Sequence, residues 1–442
     1  MATTTPPPSR EYNINFTGDV MLGRLIDQLF PTHVSNAEDE SHIQAFRSRH
    51  ADTLGLTKYT PQSPWGTTLP LFTNEGEGDL NMINLETSIT TFSTPWPDKA
   101  FNYRMHPANA APILAAANID FACLANNHTL DFGTEGLVET VWTLKHLERH
   151  RVAIAGAGET TLEAISPAVL ELPRSKSQRG IKHGGRPGPL SRQDLDERND
   201  FDDGGQGGKG KHLVHVFAAT DHPQVWRDIP TFHLIDYSDR CREHLRRLIR
   251  KYSLSPDNPE TNGALPSLKI FSVHWGPNYR WHPRDEIRSL AHFLLFECGI
   301  DIVHGHSSHH VQGIECPAPG KVIIYGCGDF VDDYALNKEF RNDLGALYRV
   351  VVREELGENS SSKRKVKPVR LEIFPTRIDH FQAHLLKAGD NDHEWVVRQI
   401  GSLTDELMQS SSSYGHEYNG AEGTSIIRPE LGGRGQLIID LV

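Results

Sequence analysis

"DIVHGHSSHHVQG", residues 301–313, closes a short apolar run with four histidines in seven positions: His304, His306, His309 and His310. In open α/β sheets the polar groups that bind ligands sit just past the carboxyl ends of the strands. A run of Ile and Val that stops at imidazoles is therefore read as a strand delivering them to a site. The pattern recurs along the chain. "YNINF" runs into "TGDVMLGR", "LNMIN" into "LETS", "IDFACLA" into "NNHTLDFG" and "LKIFSV" into "HWGPNY". "RVAIA", "HLVHVFAA" and "KVIIY" also stop at Gly, Thr or Asp. Runs this short and this rich in Val, Ile and Phe read as buried strands. Residues 108–118, 134–150 and 284–298 carry apolar residues at helical spacing between them, so the fold class is α/β with a sizeable sheet.

At 442 residues the chain is long for one domain. Residues 1–10 read as a disordered tail and 11–442 as a single domain. That domain carries a Gly- and charge-rich flexible insertion at 174–212 and a C-terminal extension from about 380. Residues 355–367 and 409–425 read as further loops. A formal charge of −12 excludes a general nucleic-acid binder. The five cysteines form no CxxC pair, which fits a reducing compartment. The polar, Pro-rich start lacks a secretory h-region, and no run nears the ~18 apolar residues of a membrane helix. The expectation is a cytoplasmic enzyme without nucleic-acid or membrane partners; the oligomeric state is left open.

Asp19, Asn84, Glu86, Asn127, His128, His274, His306 and His309 all fall at or just past apolar runs. Laid side by side, the strands would bring them to one sheet edge. This mixed oxygen and nitrogen set suits one or two divalent ions of Mn, Fe or Zn, with no thiolate in it. A carboxylate can bridge two such ions about 3.5–4 Å apart. Taken singly, Asp19 is as well a helix cap or turn residue, Asn127 a turn residue and His274 a core histidine. His304 falls where the strand is still buried and is read as core.

"GDVMLGR", "INLETS", "LANNHTLDFG", "VHWG" and "GHSSHHVQGIE…IIYGCGDFVDDY" occur in this order. Together they resemble the CapA-type proteins of capsule and poly-γ-glutamate synthesis, within the calcineurin-like metallophosphoesterase superfamily. The resemblance runs from about residue 12 to 350. It implies a four-layer α/β/β/α sandwich with a metal centre at one edge. It also implies one metal position made by Glu86, Asn127, His274 and His306. The second would be made by Asp19, Glu86 and His309 and would lack a ligand, because Met21 stands where the superfamily has His. One tight and one weak site are expected.

The chemistry expected is metal-dependent hydrolysis of a small anionic or peptide-like substrate, either a phosphoester or a γ-glutamyl amide. His128 would protonate the leaving group, Asp131 would orient it, and Arg24 would neutralise a substrate oxyanion. The alternatives are a Lewis-acid cyclase or isomerase and a non-catalytic accessory protein of polymer synthesis.

Overall fold

The computed structural model describes residues 9–50, 59–147, 150–174, 212–254, 265–355, 365–410 and 430–441. Almost all of the 174–212 insertion, the first eight residues and the inner parts of the two later loops lie outside these.

Two sheets face each other. The larger runs in the order Glu430–Leu431, Leu437–Asp440, Lys365–Asp379, Leu344–Glu355, Glu11–Val20, Leu80–Leu85, Phe121–Cys123, Ala153–Ala155. Its last four strands are parallel, and a short Asp329–Val331 strand pairs parallel to the end of Glu11–Val20. The smaller sheet runs Ile314–Ala318, Lys321–Ile324, Ile302–His306, Leu268–His274, His212–Thr220, Ala168–Leu172, with its four inner strands parallel.

Side-chain alternation builds the layers. On Leu268–His274, Leu268 and Ile270 enter a core shared with Ile14, Phe16 and Met82 of the other sheet. Phe271 and Val273 point the opposite way, onto Leu245, Leu248, Leu290 and Leu294 of helices Asp239–Leu254 and Asp285–Phe296. Across the larger sheet, Ile83, Leu85 and Ala122 pack on Ile113, Leu114, Leu137 and Val141 of helices Pro107–Ala116 and Gly133–Lys145. The result is helix, sheet, sheet, helix: the four-layer α/β/β/α order. Helix Asp285–Phe296 shows the local logic. Asp285 and Glu286 in its first turn complement the helix dipole, and Ile287, Leu290, Ala291 and Leu294 form its buried stripe.

The eight runs read as strands are strands, and helices cover Pro107–Ala116, Gly133–Lys145 and Asp285–Phe296. The sequence reading left out the long hairpin Leu344–Glu355/Lys365–Asp379 and the helices Ala37–His50, Asp239–Leu254 and Asn391–Ser410. Among the described residues no helix is long and apolar enough to cross a membrane.

Candidate metal centre

The carboxyl ends of both sets of parallel strands meet at one edge of the sandwich, and each sheet contributes a different chemistry. The larger sheet supplies oxygen. Asp19 ends Glu11–Val20, Glu86 follows Leu80–Leu85, Asn127 follows Phe121–Cys123, and Asp329 is in register with Asp19. The smaller sheet supplies nitrogen. His274 and His306 are paired as the last residues of adjacent parallel strands, and His309 sits in the turn beyond, at φ 61°. Gly18 makes the approach possible, because a Cβ there would run into the Gly328 carbonyl, next to Asp329.

Two buried groupings result, Asp19–His274–His306 and Asp19–His309–Asp329. In each, the potential ligand atoms lie within 4.8 Å of one another. His274 Nδ1 and His306 Nδ1 are 2.9 Å apart. His306 Nδ1 is 4.0 Å and His309 Nδ1 3.7 Å from the Asp19 carboxylate, and His309 Nδ1 is 2.8 Å from Asp329 Oδ1. Asn84 Nδ2 donates to Asp19 Oδ1 at 2.7 Å, while its Oδ1 accepts from Asn126 Nδ2 at 3.0 Å. Asn84 therefore orients Asp19 and offers an amine face, not a ligand oxygen. His304 stays in the strand, as expected from its position. Its Nε2 donates to the Thr17 carbonyl, and its Nδ1 meets the Ser272 hydroxyl that also contacts His306 Nε2.

The residues fit a cation. Glu86 Oε1, Asn127 Oδ1 and Asp329 Oδ2 are buried and have no hydrogen-bond partner among the described residues, an arrangement that leaves their desolvation uncompensated. Burial raises the carboxyl pKa of Asp19, and burial with neighbouring carboxylates raises those of Glu86 and Asp329 well above the usual range. Burial, with neighbouring imidazoles, holds His274 and His306 well below the usual value; burial also lowers His309. The imidazoles are thus neutral, with lone pairs available, beside carboxylates that lack a counter-charge.

Asp329 was not among the expected ligands, and the structure places it with Asp19 and His309 in the second buried grouping. Its signal was the one used elsewhere, an acid just past "KVIIY". Asp19, moreover, belongs to both groupings and not to the second alone.

His128 flanks the groupings. Its Nε2 is 3.7 Å from Glu86 Oε1, and its Nδ1 is 2.7 Å from Asp131 Oδ2. Lys99 was not read from sequence. Its ammonium reaches Asp131, the Asn127 carbonyl and, at 3.0 Å, His128 Nδ1. Burial pushes the His128 pKa down to about 4 and also lowers that of Lys99. Tyr103 packs on the imidazole with ring centroids 4.2 Å apart. Arg24 is not brought into the groupings. Its guanidinium lies 3.7 Å from Asp39 and 3.9 Å from Asp333, against the rings of Phe101 and Tyr103.

The family described as bacterial capsule synthesis protein PGA_cap matches residues 13–334. A "probable polyglutamine synthesis accessory protein" of Mycobacterium tuberculosis is 32% identical over 400 residues, covering 88% of this chain and 90% of that protein. The "PGA biosynthesis protein CapA" of Bacillus subtilis is 27% identical over 149 residues, 32% of this chain and 37% of that one. Among solved structures, the calcineurin-like phosphoesterase YfkN of Bacillus subtilis aligns over 82% of this chain and 91% of its own. Identity is 12% and the TM-score 0.34, a superposition too loose to argue from.

Proposed function

The chain belongs to the bacterial capsule synthesis protein family PGA_cap, and on that premise we propose that it is a metal-dependent hydrolase of peptide-like amides. The observation that carries this reading is the pair of buried Asp/His groupings that share Asp19, ringed by the unpartnered oxygens of Glu86, Asn127 and Asp329. Asp19, Glu86, Asn127, His274 and His306 would hold one divalent ion, and Asp19, His309 and Asp329 a second, drawn from Mn, Fe or Zn. When bound, such an ion supplies Lewis acidity and lowers the pKa of a water from ~15.7 toward ~7.

The chain's own part is proton handling. Asp131 Oδ2, 2.7 Å from His128 Nδ1, fixes the neutral imidazole as the Nδ1–H tautomer and leaves Nε2 free to accept. His128 would therefore take a proton from the attacking water at Nε2 and hand the same proton to the leaving amine, Asp131 stabilising the imidazolium in between. Lys99, bonded to Asp131 and to the Asn127 carbonyl, holds that carboxylate in place.

The amide assignment draws on the capsule-synthesis description of the family and the printed names of its relatives. The charge of the site does not decide between the classes, because bound divalent ions would offset the carboxylates of Asp19, Glu86 and Asp329. Metal analysis of the purified chain, then a screen of γ-glutamyl amides against phosphoesters with and without chelator, tests the reading. Amide turnover lost on chelation and restored by Mn, Fe or Zn supports it; turnover of phosphoesters alone refutes the substrate assignment. A second reading, a non-catalytic accessory role, draws on the printed name of the mycobacterial relative. It predicts metal binding without turnover of either class.

A further inference from the structure

A cavity of about 380 Å³, inside the range of small-ligand sites, lies at the edge of the sandwich opposite the metal centre. It is built at the amino ends of parallel strands of the smaller sheet. Leu268 and Lys269 open Leu268–His274, Asp301 precedes Ile302–His306, and Lys321 opens Lys321–Ile324. His274, at the far end of the first of these strands, is roughly 20 Å away along it. The larger sheet adds Glu355 from the end of Leu344–Glu355, and Lys365 and Lys367 from the start of Lys365–Asp379.

Four lysines thus line the cavity against two acids, on a chain whose net charge is −12. One lysine is spent locally. Lys321 Nζ donates to Asp301 Oδ1 at 2.8 Å and to the Ile300 carbonyl at 2.5 Å, while Asp301 Oδ2 accepts the Lys269 backbone N–H at 2.9 Å. The other three are short of counter-charge. Lys269 is half-buried, and its Nζ donates to the Cys298 carbonyl at 3.3 Å. Neither Lys365 nor Lys367 forms an ion pair among the described residues, although Glu355 is in register with Lys365. Burial lowers the Lys269 pKa, and Lys321 and Lys365 lower it further against the pull of Asp301, so these ammonium groups converge. The backbone leaves room for them. A Cβ at Gly299 would come 3.0 Å from Lys269 Nζ, and one at Gly320 would come 2.6 Å from Lys367 Cε. Lys365 is exposed, and Lys269 and Lys367 keep part of their surface.

We propose that this cavity binds a small anion with two or more negative charges, carried on phosphate or carboxylate groups. Each lysine offers N–H donors and no acceptor, which suits oxygens that carry no hydrogen. No guanidinium fork is present to fix one planar group, and separate point charges suit a ligand whose charge is spread over several oxygens. An excess of one sign between low-dielectric walls concentrates such ions. A metal cation would meet three ammonium groups without counter-charge. A nucleic acid needs a broad basic surface, which a chain of net charge −12 does not offer.

The inference is independent of the hydrolase reading, since no residue of the cavity belongs to the metal groupings. The full-length chain is titrated calorimetrically at fixed ionic strength with pyrophosphate, with tricarballylate and with acetate. One-to-one binding of a multivalent anion, tighter than acetate by about tenfold or more, is expected. Binding of pyrophosphate alone assigns a phosphate ligand, of tricarballylate alone a carboxylate one, and of both the shared chemistry. Acetylation by an amine-directed reagent, read by mass spectrometry with and without the anion, locates it. Lys269, Lys365 and Lys367 should be shielded, and Lys145, paired with Glu159 and Glu163 elsewhere, should not. Lys365→Gln combined with Lys367→Gln should weaken binding by about tenfold with metal content unchanged. Acetate bound as tightly, or neither multivalent anion bound at millimolar concentration, overturns the proposal. So do unshielded lysines or full affinity in the double variant, either of which would mark an anion held at the metal centre. The acetylation arm uses the wild-type chain, so a double variant that fails to fold leaves the test intact.

Discussion

Replacing Asp329 by Asn should stabilise the metal-free protein and strip it of most of its response to metal. Asp329 and Asp19 present ligand oxygens no more than 4.8 Å apart in a buried site. Two like charges at that distance repel by about 3.5 kcal/mol at an effective dielectric near 20. Protonation of one partner relieves part of this, so we expect the metal-free variant to gain about 1–2 kcal/mol at pH 7. The sign follows from linkage. The folded-state carboxyl pKa lies above its unfolded value, so the site's contribution falls as pH rises toward neutrality, and an amide cannot suffer that loss. With metal the order reverses. At a free concentration of 100 Kd the wild type gains about 2.7 kcal/mol. A variant whose affinity has dropped ~100-fold, a loss that even outer-shell changes can cause, gains only about 0.4 kcal/mol under the same conditions. Urea unfolding of both proteins, with chelator and with manganese, measures all four values. A variant that keeps the full metal-dependent gain would remove Asp329 from the centre. One that is less stable than wild type in chelator would refute the electrostatic argument.

Other outcomes follow from single contacts. Lys99→Met should lower kcat on the amide found by the screen by about 10²-fold with metal content unchanged, since it removes the cation that holds Asp131 against His128; an unaffected kcat refutes that positioning role. Gly18→Ala drives a Cβ into the Gly328 carbonyl and should lower metal affinity and stability together, measured by metal titration and thermal unfolding; a normal metal titration would show the strand end can shift freely. His215 is buried with neither ring nitrogen partnered among the described residues, and burial holds its pKa down to about 4. Its stabilising contribution is present above pH 6.5 and is lost as pH falls toward 4, by about 3 kcal/mol at most. His215→Leu should flatten that limb of the urea-unfolding stability profile relative to wild type; identical limbs refute it.

The strand-end acids, amides and imidazoles were legible because each follows an apolar run, and parallel strands carry such ends to one edge. That rule singled out Asp19, Glu86, Asn127, His274, His306 and His309, of which Asp19, His274, His306 and His309 fall in the two buried groupings, and the four layers came with the family resemblance. It applied equally to Asp329, whose run was read without its acid. Lys99 had no such signal. It comes from a loop of "WPDKAFNY" type, and only the tertiary fold lays its ammonium on His128. The hairpin Leu344–Glu355/Lys365–Asp379 was missed because it mixes apolar residues with Arg, Lys and Glu. Several of those pair within or beside the sheet, as Arg349 does with Glu77 and Arg370 with Glu372. Arg24, close in sequence to Asp19, was drawn toward the site by proximity along the chain, but it turns at φ 48° to face Asp39 and Asp333.

Every oxygen donor of the centre comes from one sheet and every imidazole from the other. An ion held there would tie the two sheets together across their seam, because neither sheet alone carries both kinds of donor.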